Sequence, residues 1–328
     1  MPLNITILGL DALGTSLGLA LGTLDPKALD VGRPRVTGWD AQKKVLQAAR
    51  ERLVIDEGTT DIVAAVRQAD LVWVNVSEDM LRQTFAAIAP HLKHGAVVTD
   101  TASVKAPVMA WARELLPTTV QFIGGHPFAA LGSEFQMGSR DALQGVVYCL
   151  VPAPTTAQGA LDGLSEVITA IGAKPYFIDA LEHDSYAAGA AHLPLITAIA
   201  LMETISRGGS WREIQPIAGQ GLADTTALVV NEPTASAQAL HANRAALIHW
   251  LDGLEETLGQ LRAALDDPQR LTVLAEHAAS ARDAWLASSP NVRPGEDGIY
   301  ASAQDMPKAT GTLKGMLFGR RSTKRKGE

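Results

Sequence analysis

The sequence predicts an α/β domain with a doubly wound, mostly parallel β-sheet, followed by a separate all-α domain. In the first half, short apolar runs alternate with amphipathic stretches, which is the pattern of βαβ units. After about residue 180, long alanine- and leucine-rich helical segments follow one another without a strand-like run. We therefore assign residues 1–179 to the first domain and 180–288 to the second, and interpret 289–328 as an irregular tail with a basic C-terminus.

The predicted strands are the short apolar runs of the first half. The run Leu71–Val76 is apolar except for Asn75, and its continuous apolar character suits a strand buried on both faces. The strands are Ile5–Leu8, Val36–Trp39, Leu71–Val76, Ala96–Asp100, Gln121–Gly124, Val146–Val151 and Ala173–Ile178. The helical patterns between them include Gln42–Arg52, Thr60–Ala69 and Met80–Leu92, and those of the second half are His183–Ser206, Ala235–Leu265 and Pro268–Ala287.

Composition and charge argue against several classes of protein. The 328 residues are 47% hydrophobic and 19% charged, as in globular proteins with sizeable cores. The net charge of −7 gives no reason to expect a nucleic-acid partner, although the basic end Gly319–Lys326 could bind an acidic partner if it is not simply solvated. The single cysteine, Cys149, lies in an apolar run and is expected to be a buried thiol in a reducing compartment. Without a signal peptide or an apolar run of roughly 18 residues, we expect a cytoplasmic protein with no membrane contact.

A glycine-rich segment follows the first predicted strand. Gly9-Leu10-Asp11-Ala12-Leu13-Gly14 leads into an apolar helical stretch, as in the Rossmann-type dinucleotide fingerprint G-x-G-x-x-G. The first glycine makes the turn, and the third lets the helix pack on the strand. The middle position, where the cofactor pyrophosphate approaches the backbone, is Asp11. The six residues are candidates for cofactor binding, and Asp11 adds a negative charge where an anion should bind.

Two further residues are assigned to the cofactor end of the sheet. The second predicted strand ends at Asp40, and an acid at this place accepts the ribose hydroxyls of NAD. Lys43 and Lys44 follow closely and could bind a 2′-phosphate, so NAD is preferred and NADP stays open. Ser77 directly follows the third predicted strand and is the last cofactor candidate. The alternative is a doubly wound domain that binds nothing there.

Candidate catalytic residues follow two predicted strands, at the strand ends where open α/β sheets bind their ligands. His126 stands between a Gly-Gly turn and a proline, so we expect a loop residue with little freedom to bury itself. Imidazole is suited to taking a proton from a substrate hydroxyl near neutral pH. Ser103 could hydrogen-bond the same hydroxyl, and Lys105 could hold an anionic group or stabilise the loop.

These segments resemble those of the prephenate and arogenate dehydrogenases. T-D-T-A-S-V-K at 99–105 is similar to the D-x-x-S-V-K segment of the family, and G-G-H-P-F-A-A at 124–130 is similar to its H-P-M-A-G segment. Glu182-His183-Asp184, His192-Leu193-Pro194 and Asp224-Thr225-Thr226 are similar to elements of the family's helical domain. The resemblance covers about residues 4 to 265, in the right order and spacing.

The resemblance implies NAD-dependent oxidative decarboxylation of prephenate to 4-hydroxyphenylpyruvate in tyrosine biosynthesis. Prephenate would lose hydride from its carbinol carbon, His126 would accept the hydroxyl proton with help from Ser103, and loss of CO2 would make the ring aromatic. Lys105, His192 and Thr225 would contact the substrate. The helical domain would cover the cleft and form a homodimer.

Three segments depart from the pattern of the family, and all are near expected ligands. Asp11 replaces the middle glycine of the fingerprint. Ala227 stands where the family has an arginine that grips a substrate carboxylate, a contact whose loss should cost a few kcal/mol of binding. Ala191 and Leu195 replace a serine and a histidine.

These departures leave three interpretations open. The first is an active prephenate or arogenate dehydrogenase, in which Arg244 or Arg293 could supply the missing carboxylate contact. The second is a family member that has lost catalysis and serves as a binding or regulatory protein. The third is a dehydrogenase of the β-hydroxyacid type, which would use a lysine from the first helix of the helical domain. Leu181–Met202 contains no lysine, so this interpretation ranks last.

The histidines of the helical domain also have structural interpretations. His183, with acids on both sides, resembles the capped start of a helix. His192 lies on an apolar helix and could equally be a satisfied core histidine. No histidine shows metal-ligand spacing, so we expect no metal site.

Overall fold

The chain divides into two compact units. In the computed structural model, the described residues are 2–25, 27–128, 137–229 and 233–288. One unit comprises Met1–Asp179 with the residues from Asp283 onward, and the other comprises Ala180–Arg282. The predicted tail, 289–328, lies outside the described residues, and the three predicted domain ranges stay predictions.

The first unit contains an eight-stranded sheet in the order β3-β2-β1-β4-β5-β6-β7-β8. Its strands are β1 Asn4–Leu8, β2 Arg35–Trp39, β3 Glu57–Thr59, β4 Leu71–Val74, β5 Val97–Asp100, β6 Gln121–Pro127, β7 Val147–Pro152 and β8 Lys174–Phe177. Every neighbouring pair is parallel except β6 and β7. The predicted doubly wound, mostly parallel sheet is therefore confirmed.

Helices cover both faces of this sheet, and β4 shows why its sequence is apolar throughout. The helices are α1 Ala12–Gly22, α2 Lys43–Glu51, α3 Ile62–Val66, α4 Glu78–Ile88, α5 Ala106–Leu115 and α6 Gln158–Ala170. Leu71 and Trp73 belong to one apolar core, and Val72 and Val74 belong to a second. Because successive side chains of a strand point to opposite faces, a strand between two cores has no polar position.

The strand order reverses at β1, which pairs with β2 on one side and with β4 on the other. Ligands of open α/β sheets bind at such a reversal, beyond the carboxyl ends of the strands. The ends of β1, β4 and β5 lie side by side here, because β4 also pairs with β5. The candidate site is built on these ends.

Two features of the sheet differ from the sequence prediction. The strand β3 was not predicted, because Glu-Gly-Thr carries no apolar run and its pairing with β2 alone makes it a strand. The predicted strand ending at Gly124 continues to Pro127, since β6 pairs with β7 in an antiparallel register that reaches Pro127 opposite Tyr148. His126 is therefore in a strand and only 9% exposed, and the expectation of a loop histidine that stays out of the packing was wrong.

The described residues of the second unit form helices and no strand, which confirms the predicted all-α domain. The helices are α7 Ala180–Ala187, α8 Leu193–Ser206, α9 Trp211–Ile214, α10 Gln220–Thr225, α11 Pro233–Ala242, α12 Arg244–Ala263 and α13 Pro268–Ser288, whose last residues fall in the first unit. A π-helical turn, Ala188–His192, joins α7 to α8. Turns of this kind insert a residue into a helix and are frequent at functional sites.

The continuous helix through this turn corrects one expectation about membranes. Ala180–Ser206 is 27 residues long, with a mean hydropathy of 1.4 in its most apolar window, and only 17% of that window is buried. It is therefore long and apolar enough to cross a membrane, although no apolar run of that length was expected. One such helix is weak evidence for a span, because apolar helices of soluble proteins share this length and composition.

Candidate active site

Asp11 caps the helix that follows β1. Its Oδ1 accepts hydrogen bonds from the backbone N–H groups of Leu13 and Gly14, each at 2.9 Å. These first-turn donors are the groups that bind phosphate in dinucleotide folds, helped by the positive end of the helix dipole. The carboxylate therefore already uses donors that a cofactor pyrophosphate would need.

A side chain from the neighbouring strand end holds Asp11 in this position. The Asn75 side-chain amide donates to Asp11 Oδ1 at 2.8 Å and to the Gly9 carbonyl at 3.1 Å. The Thr101 hydroxyl donates to Asn75 Oδ1 at 2.7 Å. One hydrogen-bonded chain thus links the ends of β1, β4 and β5. Sequence reasoning missed Asn75 because the predicted strand Leu71–Val76 included it, although a single polar residue in an apolar run was a usable signal for the end of β4 at Val74.

The two remaining glycines of the fingerprint keep their structural roles. Gly9 has a φ of +99°, and a Cβ there would lie 1.9 Å from the Asn75 carbonyl oxygen. A Cβ on Gly14 would lie 2.0 Å from the Gly9 carbonyl oxygen. Neither site accepts a side chain, so the turn and the helix–strand contact survive the change at Asp11.

The other predicted cofactor residues lie around this turn. Asp40, at the end of β2, accepts from the Leu10 N–H at 3.4 Å and from the Gln42 N–H at 2.8 Å. Leu10 is a core residue, whereas Ala12 and Leu13 are half-buried in the first turn of α1. Ser77 is exposed at the start of α4, and its side chain makes no capping bond.

A fully buried ion pair connects the two predicted catalytic segments. Lys105 Nζ contacts Asp100 Oδ2, and both side chains are 0% exposed. Lys105 Nζ also donates to the Gly125 carbonyl at 2.8 Å, while the Gly125 N–H donates to Asp100 Oδ1 at 3.0 Å. This arrangement supports loop stabilisation, one of the two roles predicted for Lys105, over contact with a substrate.

His126 directly follows Gly125, whose N–H and carbonyl groups bind the Asp100–Lys105 pair, and its position is also fixed by its own neighbours. Its ring centroid lies 4.2 Å from that of Phe128, with the planes tilted by 36°. Cys149 is its partner in β7, and burial raises the pKa of this thiol to about 12. The buried thiol confirms the structural role expected for Cys149. The histidine is thus held at the end of a strand, beside the loop that carries Ser103.

Ser103 is engaged by an acid that sequence reasoning missed. Its hydroxyl donates to Glu78 Oε1 at 2.5 Å, and its backbone N–H donates to the same oxygen at 3.0 Å. Glu78 opens α4, directly after the predicted cofactor residue Ser77. Its position after an apolar strand gave the only signal, and the contact with Ser103 depends on the tertiary fold.

In the second unit, a buried network surrounds His192 in the π-helical turn. The Asn243 side-chain amide donates to the Asp184 carbonyl at 2.7 Å and lies 3.1 Å from His192 Nδ1. Because an amide nitrogen only donates, Nδ1 is the acceptor and the ring proton is on Nε2. His192 is 3% exposed, and its Nε2 makes no hydrogen bond within the described chain. His192 therefore offers one N–H donor.

The other predicted residues of this unit have local partners. His183 is fully buried near the start of α7, with Nδ1 2.8 Å from Asp184 Oδ1. The predicted helix start with an acid in its first turn is present, since α7 begins at Ala180 and Glu182 lies in that turn, but His183 is inside the helix and is not its cap. Thr225 is exposed at the end of α10, and its hydroxyl donates to the Gly221 carbonyl at 2.7 Å. Arg244 is exposed at the start of α12, and Arg293 lies outside the described residues. Among the described residues, no cluster of three acids, histidines or cysteines could hold a metal ion.

The buried His192 predicts a pH dependence of stability. Burial lowers the pKa of His192, while the charge of Asp184 opposes the shift and His183 adds to it. The unfolded chain, with an ordinary histidine pKa of about 6.5, then binds a proton that the folded chain resists. We expect the thermal midpoint to fall as the pH decreases through about 6.5. The thermal midpoint is measured by circular dichroism melts at several pH values. Its dependence on pH should be shallower in His192→Gln than in the wild-type protein. An identical pH dependence in both proteins would contradict the prediction.

Comparison with known proteins agrees with this division of the chain. The family profile described as prephenate dehydrogenase, nucleotide-binding domain, matches residues 30–177, and the profile described as prephenate dehydrogenase, dimerization domain, matches residues 179–278. The chain belongs to the prephenate dehydrogenase family. Membership of this family confirms the prediction that the chain is an NAD(P)-dependent dehydrogenase with NAD as its cofactor. The nucleotide-binding match begins after the segment that carries Asp11.

Three similar proteins show the range of the prephenate dehydrogenase family. The cyclohexadienyl dehydrogenase of Zymomonas mobilis is 29% identical over 297 residues, which are 89% of this chain and 98% of that protein. Synechocystis arogenate dehydrogenase is 26% identical, with a TM-score of 0.70, over 86% of this chain and all of that one. Prephenate dehydrogenase from A. aeolicus, solved with hydroxyphenyl propionate and NAD+, is 21% identical, with a TM-score of 0.77, over 87% of this chain and 99% of that one.

Proposed function

We propose that this member of the prephenate dehydrogenase family catalyses the NAD-dependent oxidative decarboxylation of prephenate to 4-hydroxyphenylpyruvate. The observation that carries the proposal is the buried Asp100–Lys105 ion pair, which we call the clamp because it holds both catalytic segments. The Asp100–Lys105 pair begins and ends the loop of Ser103, and it also binds both backbone polar groups of Gly125, next to His126. One buried structure thus fixes an imidazole and a hydroxyl at neighbouring strand ends.

In the proposed mechanism, the chain supplies orientation and a proton acceptor. His126 takes the proton of the ring hydroxyl as the carbinol carbon is oxidised, and Ser103 contacts the same hydroxyl. NAD, when bound, accepts the hydride. Loss of CO2 makes the ring aromatic and provides the driving force, so the residues mainly hold the substrate in a reactive orientation.

Several residues fit NAD, and one opposes it. The turn at Gly9, the close approach at Gly14 and the acid Asp40 at the end of β2 match a dinucleotide site. Asp40 would hold the ribose hydroxyls, which favours NAD over NADP. The carboxylate of Asp11, however, uses the first-turn N–H groups of α1. We therefore expect NAD to bind against electrostatic repulsion.

Removing the charge of Asp11 is expected to tighten NAD binding. Asp11→Asn keeps a side-chain oxygen that can cap α1 and loses the repulsion of the pyrophosphate, so the Kd for NAD should fall about tenfold at low salt. Isothermal titration calorimetry measures the change. Asp61→Asn is the matched control, because Asp61 caps α3 through the N–H groups of Val63 and Ala64 at 2.9 and 3.1 Å. An unchanged Kd in Asp11→Asn would show that the negative charge of Asp11 does not repel the pyrophosphate.

The second unit offers separate candidates for the substrate carboxylates. Ala227 provides no guanidinium, and the buried Nε2–H of His192 is a donor that can bind a carboxylate oxygen. We propose His192 and Thr225 as substrate-binding residues of this unit. Arogenate differs from prephenate by an amino group in the side chain, and an arogenate-specific dehydrogenase is the alternative within the family.

A catalytically impaired binding or regulatory protein is the second candidate function. The observation that favours it is the Asp11 carboxylate on the donors of the pyrophosphate, together with alanine at position 227. The test is to mix the purified protein with NAD and prephenate, and separately with NAD and arogenate, and to follow the absorbance of the reduced cofactor. Turnover in either assay would support the dehydrogenase, and the compound that is turned over would identify its substrate. No turnover, with no NAD or NADP binding by calorimetry, would establish the impaired form.

We further propose a homodimer formed through the helical unit, in the cytoplasm. A dimerization-domain profile matches this unit, and apolar side chains on it are exposed, with Leu181 at 76% and Ile248 at 55%. Two helices of this unit, α7 and α12, thus expose large apolar residues, as protein interfaces do. Sedimentation equilibrium would give twice the chain mass of 34.6 kDa. The cytoplasmic location agrees with a biosynthetic dehydrogenase that has one buried thiol.

A further inference from the structure

We propose that Glu78 is a positioning residue that acts on the substrate through Ser103, by keeping the serine hydroxyl as a hydrogen-bond acceptor. The inference rests on the proposed function, because Ser103 is taken to contact the ring hydroxyl. It concerns a residue that the sequence patterns did not single out, and its basis is the contact between the start of α4 and the loop after β5.

Both donors of Ser103 point to one oxygen of Glu78. Oε1 accepts the hydroxyl at 2.5 Å and the backbone N–H at 3.0 Å, so the side chain of Ser103 is fixed in one orientation. The short distance is typical of an O–H donor bound to a carboxylate. Glu78 lies in the first turn of α4, where the helix dipole stabilises its negative charge.

This geometry determines what Ser103 can offer to a ligand. A serine hydroxyl carries one hydrogen and two lone pairs, and the hydrogen is used by Glu78. Toward the substrate, Ser103 can then only accept a hydrogen bond. An alcohol can donate that bond, whereas the carbonyl formed by its oxidation cannot. The Glu78–Ser103 pair therefore selects the reduced form of the ring and orients its O–H group on binding. Because the ring hydroxyl has a single hydrogen, the bond to Ser103 is given up when this hydrogen turns to His126 and is transferred.

The second oxygen of Glu78 is consistent with a functional role. Oε2 is buried and makes no hydrogen bond within the described chain. A buried carboxylate oxygen without a donor costs about 1–3 kcal/mol, so such groups are uncommon outside sites where they serve a function. If this residue served only to stabilise the fold, a neutral side chain would be more favourable than a carboxylate at this position.

The contact can be tested without substrate or cofactor. In Ser103→Cys, the carboxylate of Glu78 should disfavour the thiolate, so alkylation by iodoacetamide near pH 7 should be about tenfold slower than in Ser103→Cys/Glu78→Gln. Ser103→Cys/Asp79→Asn is the matched control, since Asp79 lies in the same first turn of α4, and it should react at the Ser103→Cys rate. The native Cys149 is buried and does not compete. Equal alkylation rates with and without Glu78 would overturn the proposed pair.

The role in catalysis is tested by a double-mutant cycle. Glu78→Leu should lower kcat about 10- to 100-fold with little change in KM or in the Kd for NAD, and Glu78→Gln, which keeps an acceptor oxygen, should recover part of the loss. In a Ser103→Ala background, Glu78→Leu should have no further effect, whereas a purely structural role would give additive losses and overturn the inference. A wild-type protein without turnover would instead refute the proposed function, while the alkylation rates still decide whether the pair exists.

Discussion

Replacing His126 by alanine is expected to lower kcat with prephenate about 10³-fold, within the range of roughly 10² to 10⁴ that positioned general bases contribute. The imidazole is the proton acceptor in the proposed mechanism, and its place at the end of β6 is fixed by the clamp on Gly125 and by the ring of Phe128. The Kd for NAD should stay unchanged, since the side chain acts on the hydroxyl of the substrate. Initial rates and calorimetry measure the two quantities.

Two variants separate the chemistry of His126 from its packing. His126→Asn keeps a polar side chain that can hydrogen-bond but cannot accept a proton near neutral pH, so its kcat should be as low as that of the alanine variant. His94→Ala is the surface control, because His94 is exposed on the same unit, and its kcat should equal that of the wild type. Activity of His126→Asn within tenfold of the wild type would assign the proton to another acceptor.

The fold of the first unit could be predicted because its strands carry two kinds of local signal. The apolar run of β4 predicts a strand that is buried on both faces. The polar residues that follow β5 indicate a strand end at the site. The strand β3 lacks both signals, since its three residues are defined only by pairing with β2. For the same reason, the length of β6 was underestimated: residues 125–127 are strand because β7 lies beside them.

The candidate site was predictable to a similar depth. Motifs with fixed spacing contain His126, Ser103 and Asp40. In contrast, the side chains of Asn75 and Asn243 donate to groups 51 to 66 residues away in the sequence. Glu78 bonds to Ser103, which follows a different strand. No periodicity encodes such contacts. The prediction for Asp11 identified the charge conflict, but the sequence could not show that Asn75 and the start of α1 hold the carboxylate in place.

The buried Asp100–Lys105 pair carries the second large prediction. Lys105→Met is expected to lower the free energy of unfolding of the first unit by about 3–5 kcal/mol, because it leaves the carboxylate of Asp100 uncompensated in a fully buried position. Urea unfolding followed by tryptophan fluorescence measures the loss, since Trp73 is 0% exposed in β4 of the same unit. Asp100→Asn/Lys105→Met removes both charges and should recover part of the stability, because the asparagine oxygen can still accept the Gly125 N–H.

An exposed pair in the same unit provides the contrast. Arg82 and Glu114 lie 2.7 Å apart, with side chains 54% and 55% exposed, and Arg82→Met should cost less than about 1 kcal/mol. Lys105→Met should also lower kcat, because the Gly125 carbonyl loses its donor and His126 loses its anchored neighbour. Unfolding free energies of Lys105→Met and Arg82→Met within 1 kcal/mol of each other would contradict the assignment. The clamp would then not be what holds His126 and the Ser103 loop together, and the basis of the proposed function would have to lie elsewhere.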